Sequence, residues 1–261
     1  MSVKYRAKKI AGLLNGFIRP RTAAIIVAAG SGKRMGDGEA KQFLTIDGKT
    51  VLAHTLLAFQ KSKYIDEIII VAREGDEARV RSIAVSEGIT KLSHVVMGGK
   101  ERSDSVMNGM VAVEDRVKFV AIHDAARCLI TPEQIRSVVM AAYAYNAASA
   151  GVPVKDTVKR VDENGFIIET PERSQMWNAS TPQVFRAELY RGAAVIAAND
   201  MISVTDDNMI MEYIGQRVKM INTGYENIKL TTQEDLLVME AVLQKRRLES
   251  EGEKKSEGRR K

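Results

Sequence analysis

Apolar runs of strand length alternate with helical patterns through the first half of this chain, and that rhythm limits the fold more than any other feature. The runs 23–29, 67–72, 93–97 and 117–122 are followed by helical stretches over 51–61, 76–87, 102–113 and 132–145. Strand, helix, strand in this order predicts an α/β fold: a mostly parallel sheet with helices on both faces and ligands collected at the carboxyl ends of the strands. The chemically distinctive segments all sit at such ends. Gly30-Ser31-Gly32-Lys33-Arg34 follows the first run, Gly98-Gly99-Lys100-Glu101-Arg102-Ser103-Asp104-Ser105 the third, and His123-Asp124-Ala125-Ala126-Arg127 the fourth.

The first of these segments predicts a phosphate cradle. Gly30 and Gly32 let the backbone turn sharply and bring bare N–H groups to an anion, while Lys33, Arg34 and Lys41 put positive charge at the same mouth. Two better known glycine loops are excluded. A P-loop needs glycine where Val27 stands and Ser or Thr where Arg34 stands; a dinucleotide fingerprint needs its third glycine one residue before Gly36. A plain tight turn accounts for the glycines but leaves the clustered cations unexplained.

At 261 residues the chain suits a single catalytic-sized domain, and a pI near 9.3 first suggests nucleic acid. The location of the charge removes that inference. Residues 1–21 carry six Lys/Arg and no acid, and residues 245–261 carry eight against four; the net +6 of the chain, less the +10 of these two ends, leaves −4 for the body. The basic ends hold only Tyr5 and Phe17 as aromatic residues, too few for a stacking platform, so no nucleic-acid partner is expected. Apolar runs are strand-sized, so no membrane partner is expected either. Cys128 is the only cysteine, which excludes an intrachain disulfide and suits a reducing, cytoplasmic compartment.

These contrasts divide the chain into a basic N-terminal extension (1–21), one domain (22–244) and a charged tail (245–261) expected to be solvated and disordered, or else a frayed continuation of the last helix. Within the domain the rhythm changes near Val152. Residues 154–161 alternate like an exposed strand, Asp162-Glu163-Asn164-Gly165 is turn chemistry, and an apolar-rich stretch returns over 166–170, which reads as a hairpin arm spanning about 153–173. A two-stranded ribbon is marginal alone in water, so it is expected to pack on a second copy of the chain or on its own domain, with the homodimer preferred. Thereafter come a helix over 186–198, the acidic stretch Thr205-Asp206-Asp207, strand-like stretches at 217–220 and 227–230, and a closing helix over 232–246 capped by Thr231 or Thr232.

Asp124 stands where a carboxylate holds Mg²⁺ on substrate phosphates, or where it pairs with Arg127 for structure alone. His54, His94 and His123 are too widely separated for a zinc site, and His123 reads as a hydrogen-bonded loop residue. No Gly-x-Ser-x-Gly elbow occurs, so a covalent nucleophile is not expected. Composition alone makes Lys229 a surface lysine and leaves Ser105, Arg173 and Thr181 anonymous.

Taken together, Ala28-Ala29-Gly30-Ser31-Gly32-Lys33-Arg34-Met35, Lys41-Gln42-Phe43-Leu44, Arg102-Ser103-Asp104-Ser105-Val106, His123-Asp124-Ala125-Ala126-Arg127, Thr181-Pro182-Gln183 and Asn227-Ile228-Lys229 resemble, in order and spacing, the 2-C-methyl-D-erythritol 4-phosphate cytidylyltransferases over residues 22–243. The resemblance implies a Rossmann-like nucleotidyltransferase fold, a homodimer joined by the hairpin arm, and transfer of a cytidylyl group from CTP to the polyol phosphate with release of pyrophosphate, in non-mevalonate isoprenoid biosynthesis. It implies Arg34 and Lys41 on the triphosphate as the catalytic pair, Lys229 near the reacting phosphates, and Ala28, Ala29, Gly99 and Ser105 on cytosine. Asp124 and Arg127 would face the methylerythritol, Thr181 would lie near the polyol, and Thr157 and Arg173 of a neighbouring subunit would clamp its phosphate. Mg²⁺ would be the cofactor, bound mainly through the CTP phosphates, with Asp124 a further candidate ligand.

The chain departs from the family pattern at Cys128, where proline is usual, at Lys100, where an acid is common, and at Ser180, where glutamine is frequent. None removes a charged catalytic group. A ribitol 5-phosphate or other polyol-phosphate cytidylyltransferase shares most of the phosphate machinery, and Ala125-Ala126 is what favours methylerythritol. A noncatalytic nucleotide binder would not need Arg34, Lys41, Asp124, Arg127, Arg173 and Lys229 together.

Overall fold

A computed structural model of the chain describes residues 19–30 and 39–258. Gly32 and Arg34 of the expected cradle, and all but the last residues of the basic extension, therefore lie outside the described residues. The elements run β1 (Thr22–Val27), β2 (Thr45–Ile46), β3 (Lys49–Thr50), α1 (Val51–Lys61), β4 (Glu67–Ala72), α2 (Glu77–Ser86), β5 (Leu92–Met97), α3 (Arg102–Val111), β6 (Phe119–Asp124) and α4 (Pro132–Tyr145). The second half continues with β7 (Ala147–Pro153), β8 (Arg160–Val161), β9 (Ile167–Glu169), β10 (Trp177–Arg186), α5 (Ala187–Asn199), α6 (Asp207–Tyr213), β11 (Lys219–Asn222) and α7 (Gln233–Gly258).

Seven strands form one sheet in the order β11-β7-β10-β6-β1-β4-β5, all parallel except β10, which runs antiparallel to both its neighbours. β4 and β6 are buried along their whole length, as expected of strands covered on both faces. Successive residues of β1 serve opposite faces: Ala24 and Ile26 join Leu52, Phe59 and Val138 on the side of α1, α2 and α4, whereas Ala23 and Ile25 join Val106, Tyr190 and Met211 on the side of α3, α5 and α6. A third cluster, including Ile46, Cys128, Leu230 and Met239, seats α7.

The expected α/β architecture holds, with differences confined to segments of weak pattern. β7 is built from Ala-Ala-Ser-Ala-Gly-Val-Pro and β10 contains Pro182, so neither shows a β-branched, alternating signature. Residues 154–159 form no strand; the exposed strand expected over 154–161 shrinks to Arg160–Val161, paired with Ile167–Glu169. The turn between them follows its chemistry, with the Asp162 carboxylate accepting the backbone N–H groups of Asn164 and Phe166 and Gly165 at φ +85°. Residues 227–230 are also loop, not strand.

Of the two readings of the charged tail, the structure favours continuation of the last helix: α7 runs on to Gly258. Its Glu, Lys and Arg residues are good helix formers, and Lys245, Arg246 and Arg247 tie the helix down to Glu226, Leu129 O and Asp47. At its start the Thr231 hydroxyl donates to Lys229 O, and Asp235 reaches back to accept the backbone N–H groups of Thr231 and Thr232, at 2.7 and 2.8 Å.

Ile25 lies wholly buried at the centre of the sheet, between β4 and β6. Ile25→Ala is expected to cost about 2–5 kcal/mol through lost burial and the cavity left behind, read as a lower denaturation midpoint in urea.

Candidate functional site

The exits of β1, β4, β5 and β6 are laced together by backbone hydrogen bonds: Ala28 N–H to Val71 O, Gly98 N–H to Ala72 O, and Ala125 N–H to Val27 O, each 2.8–3.0 Å. Two glycines permit this closeness. A Cβ on Gly98 would stand 2.4 Å from the Ala29 Cβ, and one on Gly99 would stand 2.2 Å from the Asp104 Cβ. The result is a cleft of about 350 Å³ at the carboxyl edge of the sheet, within the range of small-molecule sites.

Ala28, Ala29, Gly30, Lys41, Gly99, Ser105, Asp124 and Lys229, separated by up to two hundred residues in sequence, all line this cleft. Arg127 stands behind it, its Nε 3.7 Å from Asp124 and its Nη1 donating to Asn227 O. Thr181 is buried under the cleft floor, where its Oγ accepts the Asp124 N–H at 3.1 Å. Thr157 and Arg173 are not brought to this chain's cleft; both are exposed beside the β8–β9 ribbon, and the Arg173 guanidinium donates to Lys155 O. Gln42 is a site residue outside the expected set: it opens with Lys41 a 3-10 turn, is buried, and donates its amide to Ala28 O at 2.9 Å, holding the turn on the β1 exit.

Ser105 lies in the first turn of α3. Its Oγ donates to Glu101 O and accepts the Gly99 N–H, bracing the loop from which α3 starts, and a hydroxyl so engaged keeps one free acceptor lone pair. Asp104 accepts the Glu101 N–H and closes the helix start. Lys100 lines the cleft beside them. Cys128 fills apolar space, its Sγ 3.8 Å from the Met239 Sδ, and burial pushes its thiol up to about 12, so it stays protonated and unreactive.

Asp124 is the electrostatic centre. Lys229 Nζ lies 2.8 Å from its Oδ2, and Arg102 Nε lies 3.4 Å from its Oδ1. Burial works to raise this carboxyl, but the charges of Lys229, Arg102 and Arg127 and the Lys229 hydrogen bond outweigh it and hold Asp124 well below the usual carboxylate range. Lys229 is therefore a half-buried, ion-paired cleft residue, not a free surface lysine. Lys229, Arg102 and Arg127, set against Asp124 and the Asp207 carboxylate behind Arg102, still leave the cleft floor with excess positive charge, which suits an anionic ligand. Among the described residues no group of three or more His, Cys, Asp or Glu gathers to hold a metal.

His123 is removed from proton chemistry. Its Nε2–H donates to Arg127 O at 3.2 Å, and its Nδ1 lies 2.9 Å from the Thr181 hydroxyl, which donates to it when the ring is neutral. Burial is the main cause that pushes it down to about 3.

A mostly parallel sheet with a glycine-lined, cationic cleft at its carboxyl edge defines an α/β nucleotide-binding protein. The family model of 2-C-methyl-D-erythritol 4-phosphate cytidylyltransferase matches residues 22–245. The enzyme of that name from Pelotomaculum thermopropionicum is 42% identical over 227 residues, covering 87% of this chain and 95% of the relative. The solved 4-diphosphocytidyl-2C-methyl-D-erythritol synthase of Anaerococcus prevotii superposes with a TM-score of 0.77 at 32% identity, covering 86% of this chain and 99% of that one. The Francisella tularensis 2-C-methyl-D-erythritol 4-phosphate cytidylyltransferase superposes at 0.68 with 27% identity, covering 83% and 96%. The chain belongs to the 2-C-methyl-D-erythritol 4-phosphate cytidylyltransferase family.

A buried histidine kept neutral in the fold but free to charge when unfolded makes the unfolded state bind the extra proton, so stability falls as pH drops below about 6.5. Asp124, ionised in the fold, adds loss of the same sign below about 3.8. Urea denaturation as a function of pH is expected to show both steps, and His123→Gln to lack the first.

Proposed function

We propose that this chain transfers a cytidylyl group from CTP to 2-C-methyl-D-erythritol 4-phosphate, releasing pyrophosphate and CDP-methylerythritol in non-mevalonate isoprenoid biosynthesis. The observation that carries the reading is the convergence, in one cleft, of Ala28, Gly30, Lys41, Ser105, Asp124 and Lys229 within a chain of this family. A phosphate oxygen of the polyol phosphate attacks the α-phosphorus of CTP, the new P–O bond forms in line with the bond that breaks, and pyrophosphate leaves with its electron pair. The attacking group is already an anion, so no general base is required, in keeping with the locked, neutral His123.

The roles of Ala28, Gly30, Lys41, Ser105, Asp124 and Lys229 rest on their place in the cleft, and those of Gly32 and Arg34 on the family resemblance. Lys41 at the β1 mouth and Arg34 neutralise the triphosphate and the charge that builds as the bond breaks, with Gly30 and Gly32 giving backbone N–H groups to the phosphates. Lys229, oriented by Asp124, faces the reacting phosphates. Ala28, Ala29 and Gly99 form a small-residue slot for the base, and the free lone pair of Ser105 suits the exocyclic amine of cytosine. Asp124, Arg127 and Thr181 define the polyol side.

Mg²⁺ is the proposed cofactor, held mainly by the CTP phosphates. Both Asp124 oxygens already face cations, at 2.8 and 3.4 Å, so this carboxylate serves the metal less than the Lys229 and Arg102 side chains. When bound, the ion spreads phosphate charge; Arg34, Lys41 and Lys229 supply the rest.

The proposed homodimer completes the site. Val161, Phe166, Ile167 and Ile168 of the ribbon are 49–72% exposed, more apolar surface than a two-stranded hairpin leaves open without a partner. Thr157 and Arg173, remote from their own cleft, then serve the partner's. A cytoplasmic location rests on the single, unpaired Cys128. No helix among the described residues is long and apolar enough to cross a membrane.

Pyrophosphate release from CTP is expected with 2-C-methyl-D-erythritol 4-phosphate and not with ribitol 5-phosphate, and Arg34→Ala and Lys41→Ala should each lower kcat by roughly 10²–10³-fold. Release with neither alcohol would overturn the reading. Mixing the inactive Lys41→Ala and Arg173→Ala proteins is expected to restore activity, because each mixed dimer holds one cleft free of both substitutions; mixtures no more active than their components would place Arg173 in its own chain's site or outside any.

A further inference from the structure

The acidic stretch at the start of α6 has no part in the reading above, yet one of its carboxylates reaches the cleft through a single side chain. Asp207 is 1% exposed. Its Oδ2 accepts from Arg102 Nη1 at 2.7 Å, its Oδ1 accepts from the Tyr190 hydroxyl at 2.6 Å, and its own N–H donates to the Gln183 side chain at 3.0 Å. Tyr190 is itself held by stacking on Phe185, with ring centroids 5.1 Å apart. Asp206, one residue earlier, is spent on structure: it caps α6 through the Met209 N–H and accepts from Gln183 and Asn208.

Arg102 is thus shared between two acids of different standing. Asp124 faces the cleft; Asp207 lies behind it and touches no cleft space. The guanidinium also lines the cleft, so its position sets both how Asp124 is shared with Lys229 and where one fixed positive charge meets the ligand. Without Asp207, the guanidinium would have only Asp124 to turn to and would compete there with Lys229, whose Nζ is 2.8 Å away.

We infer that Asp207 is a positioning residue for the transfer reaction: it anchors Arg102 from behind so that Asp124 remains free to orient Lys229. Two observations separate this from a plain strut between α3 and α6. The anchored group is a cleft-lining cation, not a surface one, and the anchor's second oxygen is fixed by Tyr190, which leaves the carboxylate a single orientation toward Arg102. The chain of contacts Tyr190–Asp207–Arg102–Asp124–Lys229 runs unbroken from the core to the reacting end of the cleft.

This inference rests on the cytidylyltransferase reading of the cleft. Its test is a double-mutant cycle in the full chain, with kcat/KM for pyrophosphate release and the thermal midpoint read separately for Asp207→Asn, Arg102→Ala and the double variant. Asp207→Asn is expected to lower kcat/KM about tenfold or more, and the double variant to be no slower than Arg102→Ala alone. Rate factors that multiply, or an Asp207→Asn protein as fast as the unmodified chain, would overturn it. If Asp207→Asn does not fold, Tyr190→Phe replaces it; a two- to fivefold fall that disappears in the Arg102→Ala background supports the inference, and no fall or one that persists there overturns it. An unmodified chain that releases no pyrophosphate would remove the functional reading and the inference together, whereas an active chain with multiplying factors removes the inference alone.

Discussion

The pairing of β1 with β6 is the constraint on which the cleft depends. Val27, the last residue of β1, lies opposite Asp124, the last residue of β6, and the Ala125 N–H then closes onto Val27 O. Because side chains alternate along a strand, a slip of one residue would turn Asp124 from the cleft to the opposite face and exchange the two apolar clusters that sandwich β1. The register is therefore fixed by burial of Ala23, Ala24, Ile25 and Ile26, residues with no chemistry of their own.

On that frame the site works by concentrating charge, not by activating a nucleophile. A buried carboxylate is a liability unless paired, and Asp124 is paired three times over, with Lys229, Arg102 and Arg127. These cations are drawn from a loop near the C-terminal helix, the first residue of α3 and the turn after β6, so formation of the cluster is coupled to completion of the whole sheet. The groups that elsewhere do proton or sulfur chemistry are neutralised here: His123 is locked between Thr181 and Arg127 O, and Cys128 is held as a thiol beside Met239. What remains reactive in the cleft is positive charge and backbone N–H, the means by which phosphoryl-type transfer is accelerated.

Much of the fold was legible because strand-and-helix alternation is a local pattern. The helices Val51–Lys61 and Pro132–Tyr145 match the expected bounds, and the first has the Thr50 cap and apolar spacing that specify it. The strands β7 and β10 were not legible. Their small residues and proline carry little intrinsic preference, and they become strands only by pairing with each other and with β6. The extent of α7 stayed open between two readings for the opposite reason: a strongly charged composition suggests disorder, but its residues favour helix and Arg246 and Arg247 find partners on the body.

The sequence by itself determined the layer architecture and which residue types gather at strand ends, because both are set by the spacing of apolar residues and by glycine placement within a few neighbours. It also carried, through six separated blocks, the likeness to a family that the comparisons place over residues 22–245. Only the tertiary structure decided what those side chains do. That Lys229 pairs with Asp124, that Ser105 braces Gly99, that His123 meets Thr181 and that Asp207 stands behind Arg102 are facts of distances across gaps of six to more than one hundred residues. Charge, burial and hydrogen-bond direction act through space, and no local pattern in the chain encodes them.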